Sequence, residues 1–318
     1  MSGLGSSGTP SSSTQPSDNP YHDPSLTPRV QPHTHDPTLA WQMMRLNVEQ
    51  FLKRIEPQAH DVPKPDGHIR MVCISDTHNR TDHMEVPPGD ILVHAGDFTN
   101  VGLEGDVRRF KEFLAKLPHK HKVVIAGNHD LTFDLDNYDT LCKTFASHGH
   151  HDLLDAKKCR NILLDAGVCT YLEDSEVTIE GYRIYGSPWQ PEFCNWAFNL
   201  RRGEKCLEKW DLIPEGVDIL ITHGPPVGHG DLCSSQLRAG CVDLLHTIQT
   251  RVKPKYHVFG HIHEGAERRK NPLLDLNLQP SDLHLNAYRS LPGSTAQVLK
   301  VCKTPAPTAC LKLLYNSD

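Results

Sequence analysis

VCISDTH, residues 72–78, places Val72, Cys73 and Ile74 just before an aspartate and a histidine that stand two apart. A short apolar run of this kind suits a strand buried on both faces. The loop beyond the C-terminal end of such a strand is where α/β proteins collect chemistry. The pattern returns in ILVHAGDF (91–98), VVIAGNHD (123–130), ILITHGP (219–225) and HVFGHIH (257–263), each ending in acids, histidines or an asparagine. A single DxH or HxH would carry little weight, because a histidine at a strand end is commonly a hydrogen-bonded structural residue. Five such segments in ordered succession point to buried strands that deliver metal ligands at their ends.

Around these segments the sequence alternates between strand and helix patterns. Strands are expected at 68–75, 90–94 and 122–126, with helices at 105–117 and around 137–147. VCTYL, EVTIEG and YRIYGS, between 168 and 187, are closely spaced runs separated by turn residues and predict hairpin-connected antiparallel strands. Helical patterns at 197–210 and 241–251 flank a strand at 217–222, and a further strand is expected at 256–260. The expected fold class is α/β, with two sheets packed together and helices outside. No internal repeat is visible.

Ten of the 24 prolines precede Gly67, mixed with Ser, Thr and Gln. Residues 1–66 are therefore expected to be a largely disordered Pro/Ser-rich region, because they offer too little apolar surface to offset chain ordering. A short helix at 41–55 is the exception, with Trp41, Met44, Leu46, Phe51, Leu52 and Ile55 on one face, docked on the main domain. The ordered domain is expected over 67–265. The formal charge of -6 and pI near 6.4 show no overall basic field, so no nucleic-acid polymer is expected as partner. The basic cluster Arg268, Arg269 and Lys270 reads as a solvated turn. No apolar run approaches the roughly 20 residues that span a bilayer, and no secretory leader pattern opens the chain. Ser2 argues against N-myristoylation. The ten cysteines are dispersed without a CxxC pair and read as reduced thiols, so a cytoplasmic protein is expected.

Asp76 and His78 can be aimed at one cation by a turn, and Asp97 and Asn128 come from the next two strands. His223, His261 and His263 complete a mixed nitrogen and oxygen set of the kind divalent metals use. A carboxylate can bridge two cations, and a neutral amide adds a ligand without adding charge. Seven ligands suggest two metals. Such sites hold cations roughly 3.5–4 Å apart around a bridging hydroxide and support in-line displacement at phosphorus.

The order DxH, GDx(T/N), GNHD, HGPP and GHxH, over roughly Ile69 to Glu264, resembles the calcineurin-like metallophosphoesterase superfamily. The chain is most similar to its branch of metallophosphoesterase domain-containing proteins, which are like class III cyclic nucleotide phosphodiesterases. That resemblance implies a four-layer α/β/β/α sandwich with two mixed β-sheets. It implies one metal on Asp76, His78, Asp97 and His263 and another on Asp97, Asn128, His223 and His261, with Asp97 bridging. Two divalent ions are expected, Mn²⁺ first, with Mg²⁺, Fe or Zn²⁺ as alternatives. The resemblance casts His129 as the acid that protonates the leaving alkoxide or contacts phosphate, with Asp130 fixing its imidazole. Asn128, His129 and His229, the last in the Gly-rich loop after His223, are expected to touch substrate, and Trp189 and Phe193 are candidates to stack on a base. The expected substrate is a small phosphodiester, including 2′,3′- or 3′,5′-cyclic nucleotides.

HGHH at 148–151 reads as a solvated turn, and Cys233 and Cys241 have no base nearby in sequence to support thiol catalysis. After the GHxH segment the chain leaves the family pattern. Residues 266–318 are expected to be a divergent, poorly ordered tail, an alternative C-terminus of the kind splicing produces, without recognisable closing strands. A weakly active or inactive relative that binds nucleotide or a protein partner is the alternative function, and the altered tail favours it.

Overall fold

The computed structural model describes residues 30–45, 51–52, 68–82, 84–146, 155–263, 300–303 and 309–312. The chain runs through α1 (Pro37–Met44), β1 (Phe51–Leu52), β2 (Met71–Ile74), β3 (Ile91–Ala95), α2 (Glu104–Lys116) and β4 (His121–Ile125). It continues with α3 (Tyr138–Ala146), α4 (Ala156–Leu164), β5 (Thr170–Tyr171), β6 (Ser175–Ile179), β7 (Tyr182–Ser187), β8 (Gln190–Pro191) and β9 (Asn199–Leu200). Then follow α5 (Glu204–Trp210), β10 (Ile219–Thr222), α6 (Val242–Thr247), β11 (Tyr256–Phe259), β12 (Lys300–Lys303) and β13 (Ala309–Lys312).

β2, β3, β4 and β5 form one parallel sheet. The second sheet has seven strands in the order β1-β12-β13-β11-β10-β7-β6, parallel from β13 to β7 and antiparallel towards both edges. Successive residues of a strand face opposite ways, and the core divides accordingly. Met71, Cys73, Ile91, Val93, Val123 and Ile125 meet Ile184, Ile219, Ile221, Tyr256 and Val258 in a cluster between the sheets. The intervening residues Val72, Leu92, Val124 and Leu220 belong instead to a cluster shared with helical side chains, among them Phe110 and Leu114 of α2 and Trp210 and Leu244 of α5 and α6. Helices therefore cover both outer faces, giving the expected four-layer α/β/β/α sandwich. Among the described residues no helix is long and apolar enough to cross a membrane.

The N-terminal helix starts earlier than its apolar pattern predicts. Asp36 caps it by accepting from Leu39 N–H at 2.9 Å, and Pro37 occupies the first turn, so α1 ends at Met44 rather than beginning at 41. It docks on the domain as expected. Trp41 lies over Gly228, where a Cβ would come within 2.1 Å of the indole, and Gln31 N–H and Thr34 Oγ1 donate to buried Asp243. Residues 1–29, 46–50 and 53–67 lie outside the described residues, as do the HGHH cluster and Arg268 to Lys270.

Three further differences concern the sheets and helices. The run containing β5 does not join the hairpin of β6 and β7 but pairs parallel with β4 in the other sheet. The helical pattern at 197–210 becomes a helix only from Glu204, because Asn199 and Leu200 are taken up by pairing with β8. The segment 266–318, in which no closing strand was recognisable, supplies β12 and β13, and β13 pairs with β11 in parallel from Tyr256–Ala309 to Phe259–Lys312. Its other residues lie outside the described ones.

Candidate metal centre

Each candidate ligand sits just past the C-terminal end of a strand: Asp76 and His78 after β2, Asp97 after β3, Asn128 after β4, His223 after β10, His261 and His263 after β11. Aiming these side chains inward takes unusual backbone. Asp76, His78, Asp97 and His261 all have left-handed φ, at 52°, 42°, 56° and 72°. Asp and His tolerate that region better than most residues, though each such position still costs about 1–3 kcal/mol and persists only where its surroundings hold it. Here Asp76 N–H donates to Gly96 O at 2.9 Å and His78 N–H to Asp97 O at 3.0 Å, stitching the first two loops together. Gly127 and Gly260 give the carboxylates room: a Cβ on either would meet Asp97 Oδ1 or Asp76 Oδ2 at 2.3 Å.

The donor atoms converge in two groups, Asp76, His78, Asp97 and His263 in one and Asp97, His223 and His261 in the other, each within 4.8 Å of one another. Asp97 belongs to both. His78 Nε2 lies 3.8 Å from Asp97 Oδ2 and His263 Nε2 lies 3.3 Å from Asp76 Oδ1. His223 Nε2 is 3.3 Å from Asp97 Oδ2 and 3.0 Å from Asn128 Oδ1, which puts the amide with the second group. The Nδ1 atoms of His78 and His223 face the carbonyls of Thr99 at 3.2 Å and Ala95 at 2.8 Å. A carbonyl only accepts, so each Nδ1 carries hydrogen and each Nε2 is turned towards the cluster, the usual outer hydrogen bond of a metal-binding histidine.

The electrostatics fit a cation. Burial raises the Asp97 carboxyl, but His223, by charge and hydrogen bond, holds it well below the usual range, with His129 and His78 assisting. For Asp76, burial is again outweighed, by the His263 hydrogen bond and the charges of His223 and His263. His223 in turn is pushed up to about 9, because Asp97 and Asp76 overcome its burial, while burial and His223 drive His261 down to about 3. Two buried carboxylates are thus balanced by protons on neighbouring imidazoles. A divalent cation supplies the same balance, and the imidazole and carboxylate donors suit first-row metals.

Residues 69–265 match the sequence profile of the Calcineurin-like phosphoesterase family. The chain belongs to that family. It is 51% identical over 242 residues to Metallophosphoesterase domain-containing protein 1 of Homo sapiens, and equally to that of Mus musculus, covering 74% of this chain and 74% of each relative. A UPF0046 protein of Caenorhabditis elegans is 45% identical over 248 residues, covering 73% of this chain and 60% of the relative. Family membership and the convergent donors make this calcineurin-like phosphoesterase a metal-dependent hydrolase.

Two expected roles need correction, and one of the two stacking candidates packs inside the fold. Asp130 does not fix the His129 imidazole. Its carboxylate accepts from the backbone N–H groups of Asp97 at 3.0 Å, Thr99 at 2.9 Å and Gly127 at 2.8 Å and from the Thr99 hydroxyl at 2.7 Å. It ties the β3 and β4 loops together, and the carbonyl of Asn100, 2.8 Å from Nδ1, orients His129 instead. His229 cannot reach a substrate: it is 3% exposed, both ring nitrogens are buried, and it packs edge-on to Trp41. Trp189 is likewise buried, donating to Asp174 at 2.8 Å beneath the ammonium of Lys209. Phe193 remains exposed, and its ring lies 6.1 Å from that of His261.

Trp196 was missed. Its ring centroid is 4.1 Å from His129, which also packs edge-on to His78 at 4.5 Å. The NWAF stretch that carries it reads in sequence as the start of a helix, and only the pairing of β8 with β9 turns it towards the site. His94 and His257, inside the apolar runs, are buried against Thr77 and Thr222 and are structural. Cys241, also buried, accepts from Trp210 Nε1 and has no catalytic setting.

Proposed function

We propose that this phosphoesterase hydrolyses small phosphodiesters, including cyclic-nucleotide esters, with two divalent cations of which Mn²⁺ is the first choice. The observation that carries this reading is the sharing of one buried carboxylate, Asp97, by two donor groups. Asp76, His78 and His263 would hold one cation with Asp97, and Asn128, His223 and His261 the other. Bound there, the cations would polarise phosphoryl oxygens and lower the pKa of water.

The residues beside the centre supply the proton transfer. His129 Nδ1–H donates to Asn100 O, so Nε2 is the nitrogen able to give or take a proton. As a water-derived oxygen bonds to phosphorus and the ester P–O bond breaks, His129 Nε2 delivers its proton to the leaving oxygen. Asp97 Oδ1 accepts the His129 N–H at 2.8 Å, which couples the position of the acid to that of the shared ligand. β12 and β13 extend the sheet beyond β11, which supports the enzymatic reading over that of an inactive relative.

Hydrolysis of an aryl phosphodiester, a cyclic nucleotide and an aryl phosphomonoester with added Mn²⁺, by wild type and by Asp97→Ala, tests the reading. Faster turnover of the diesters, abolished in the variant, is expected. A monoester preference would overturn the substrate class, and equal rates in both proteins would overturn the enzymatic reading.

A further inference from the structure

We infer that Phe193 is a specificity-determining residue that gives the centre a preference for phosphodiesters bearing a flat aromatic ester group, such as an aryl or nucleobase-containing one. This rests on the phosphodiesterase reading above. A phenyl ring left 58% exposed forgoes much of the stabilisation its burial would bring, yet this one stands beside the candidate ligand His261 at 6.1 Å between centroids and 85° between planes.

The loop that presents it is built, not loose. Glu192 N–H donates to Leu200 O at 2.8 Å, Asn199 Nδ2 to the Phe193 carbonyl at 2.7 Å, and buried Gln190 Nε2 to Ala197 O at 2.9 Å. Cys194, Asn195 and Phe198 adopt left-handed φ of 56°, 53° and 53°, strain of a kind that clusters at ligand-binding sites. Two bonds fasten the loop to the metal centre's own framework: Ala197 N–H to the carbonyl of Asn128 at 3.2 Å and Phe198 N–H to Asp134 Oδ2 at 2.8 Å. The loop meets the centre on two sides, Trp196 against His129 and Phe193 against His261. With the leaving oxygen beside His129, the other substituent of a phosphate held between those imidazoles would lie towards the Phe193 ring, and base-to-aromatic stacking tolerates any flat ring.

The test compares Phe193→Ala and Phe193→Tyr with wild type on a bis-aryl phosphodiester, a cyclic nucleotide and an alkyl phosphodiester without rings. Each substrate is referred to its own wild-type rate, so leaving-group reactivity cancels. KM for the two aromatic substrates should rise about ten-fold in Phe193→Ala with kcat kept, the alkyl substrate should be unaffected, and Phe193→Tyr should behave as wild type. An equal change on the alkyl substrate, or no change on the aromatic ones, would overturn the inference while leaving the phosphodiesterase reading intact. If wild type turns over none of the three diesters, that reading falls and the inference with it.

Discussion

The backbone N–H of His129 donates to Asp97 Oδ1 and its Nδ1–H to the Asn100 carbonyl, so the main chain and one side of the ring are both held. His129→Ala should therefore lower diester turnover by about 10²–10⁴-fold while Mn²⁺ binding persists, and unchanged turnover would remove His129 from the chemistry. Asp130 acts differently. Burial and the charge of Asp97 push its carboxyl up to about 7, against the pull of its Thr99 and Gly127 donors. Asp130→Ala would strand those donors, costing about 3–5 kcal/mol in denaturant unfolding; a loss under about 1 kcal/mol would contradict its role in tying the loops. His229 gives a pH effect. Burial, then Arg238, lowers it to about 4, so the unfolded chain, titrating near 6.5, takes up the proton first. Stability from this group is complete above about pH 6.5 and lost towards about pH 4, with about 2 kcal/mol gone by about pH 5. His229→Leu should flatten the wild-type fall measured by urea unfolding. The donor residues were legible because ligands at strand ends form a chemical pattern. His229 and Asp130 were not, since whether a polar side chain faces the site or the packing behind it depends on contacts distant in sequence.

At the scale of elements, α1 is the part of the fold outside the family match that contacts the region after His223. Arg238 stacks its guanidinium 4.9 Å from the Trp41 ring, and Arg238 N–H donates to Thr38 Oγ1 at 2.9 Å. Trp41→Ala should cost about 3–5 kcal/mol, read from the denaturant midpoint, and a change below about 1 kcal/mol would show that α1 is not integral. Its docking was foreseeable from its apolar face, its start only from the Asp36-Pro37 cap. α4 has comparable signals, with Asp155 capping the Lys158 N–H and Ala156, Cys159 and Leu163 buried on one face, but Lys157, Lys158 and Arg160 interrupt its apolar pattern. β12 and β13 were illegible because the sequence around them has no family pattern to follow. Their pairing still makes a claim: removing residues from 300 onward uncovers the β11 edge, and the truncated chain should aggregate more readily.

Over the whole molecule, strand periodicity explains the sandwich, since alternate residues of the same apolar runs fill two different cores. The runs were visible in sequence; their sorting into two sheets was less so, as β5 illustrates by leaving its neighbours for the other sheet. Stacking the sheets brings the ends of β2, β3 and β4 against those of β10 and β11, and Asp97 comes to serve both donor groups. Metal binding should release protons from the imidazoles that balance the carboxylates, so affinity should rise with pH. It should also stabilise the fold, by about 2.7 kcal/mol at a hundred times Kd. The most direct test is calorimetric titration of metal-free protein with Mn²⁺, with diester turnover followed on the same samples. Wild type should bind two ions per chain, with turnover rising as the second site fills and vanishing on chelation, while Asp97→Ala should lose both. Full turnover without bound metal, or wild-type stoichiometry and turnover in Asp97→Ala, would contradict a shared two-metal centre.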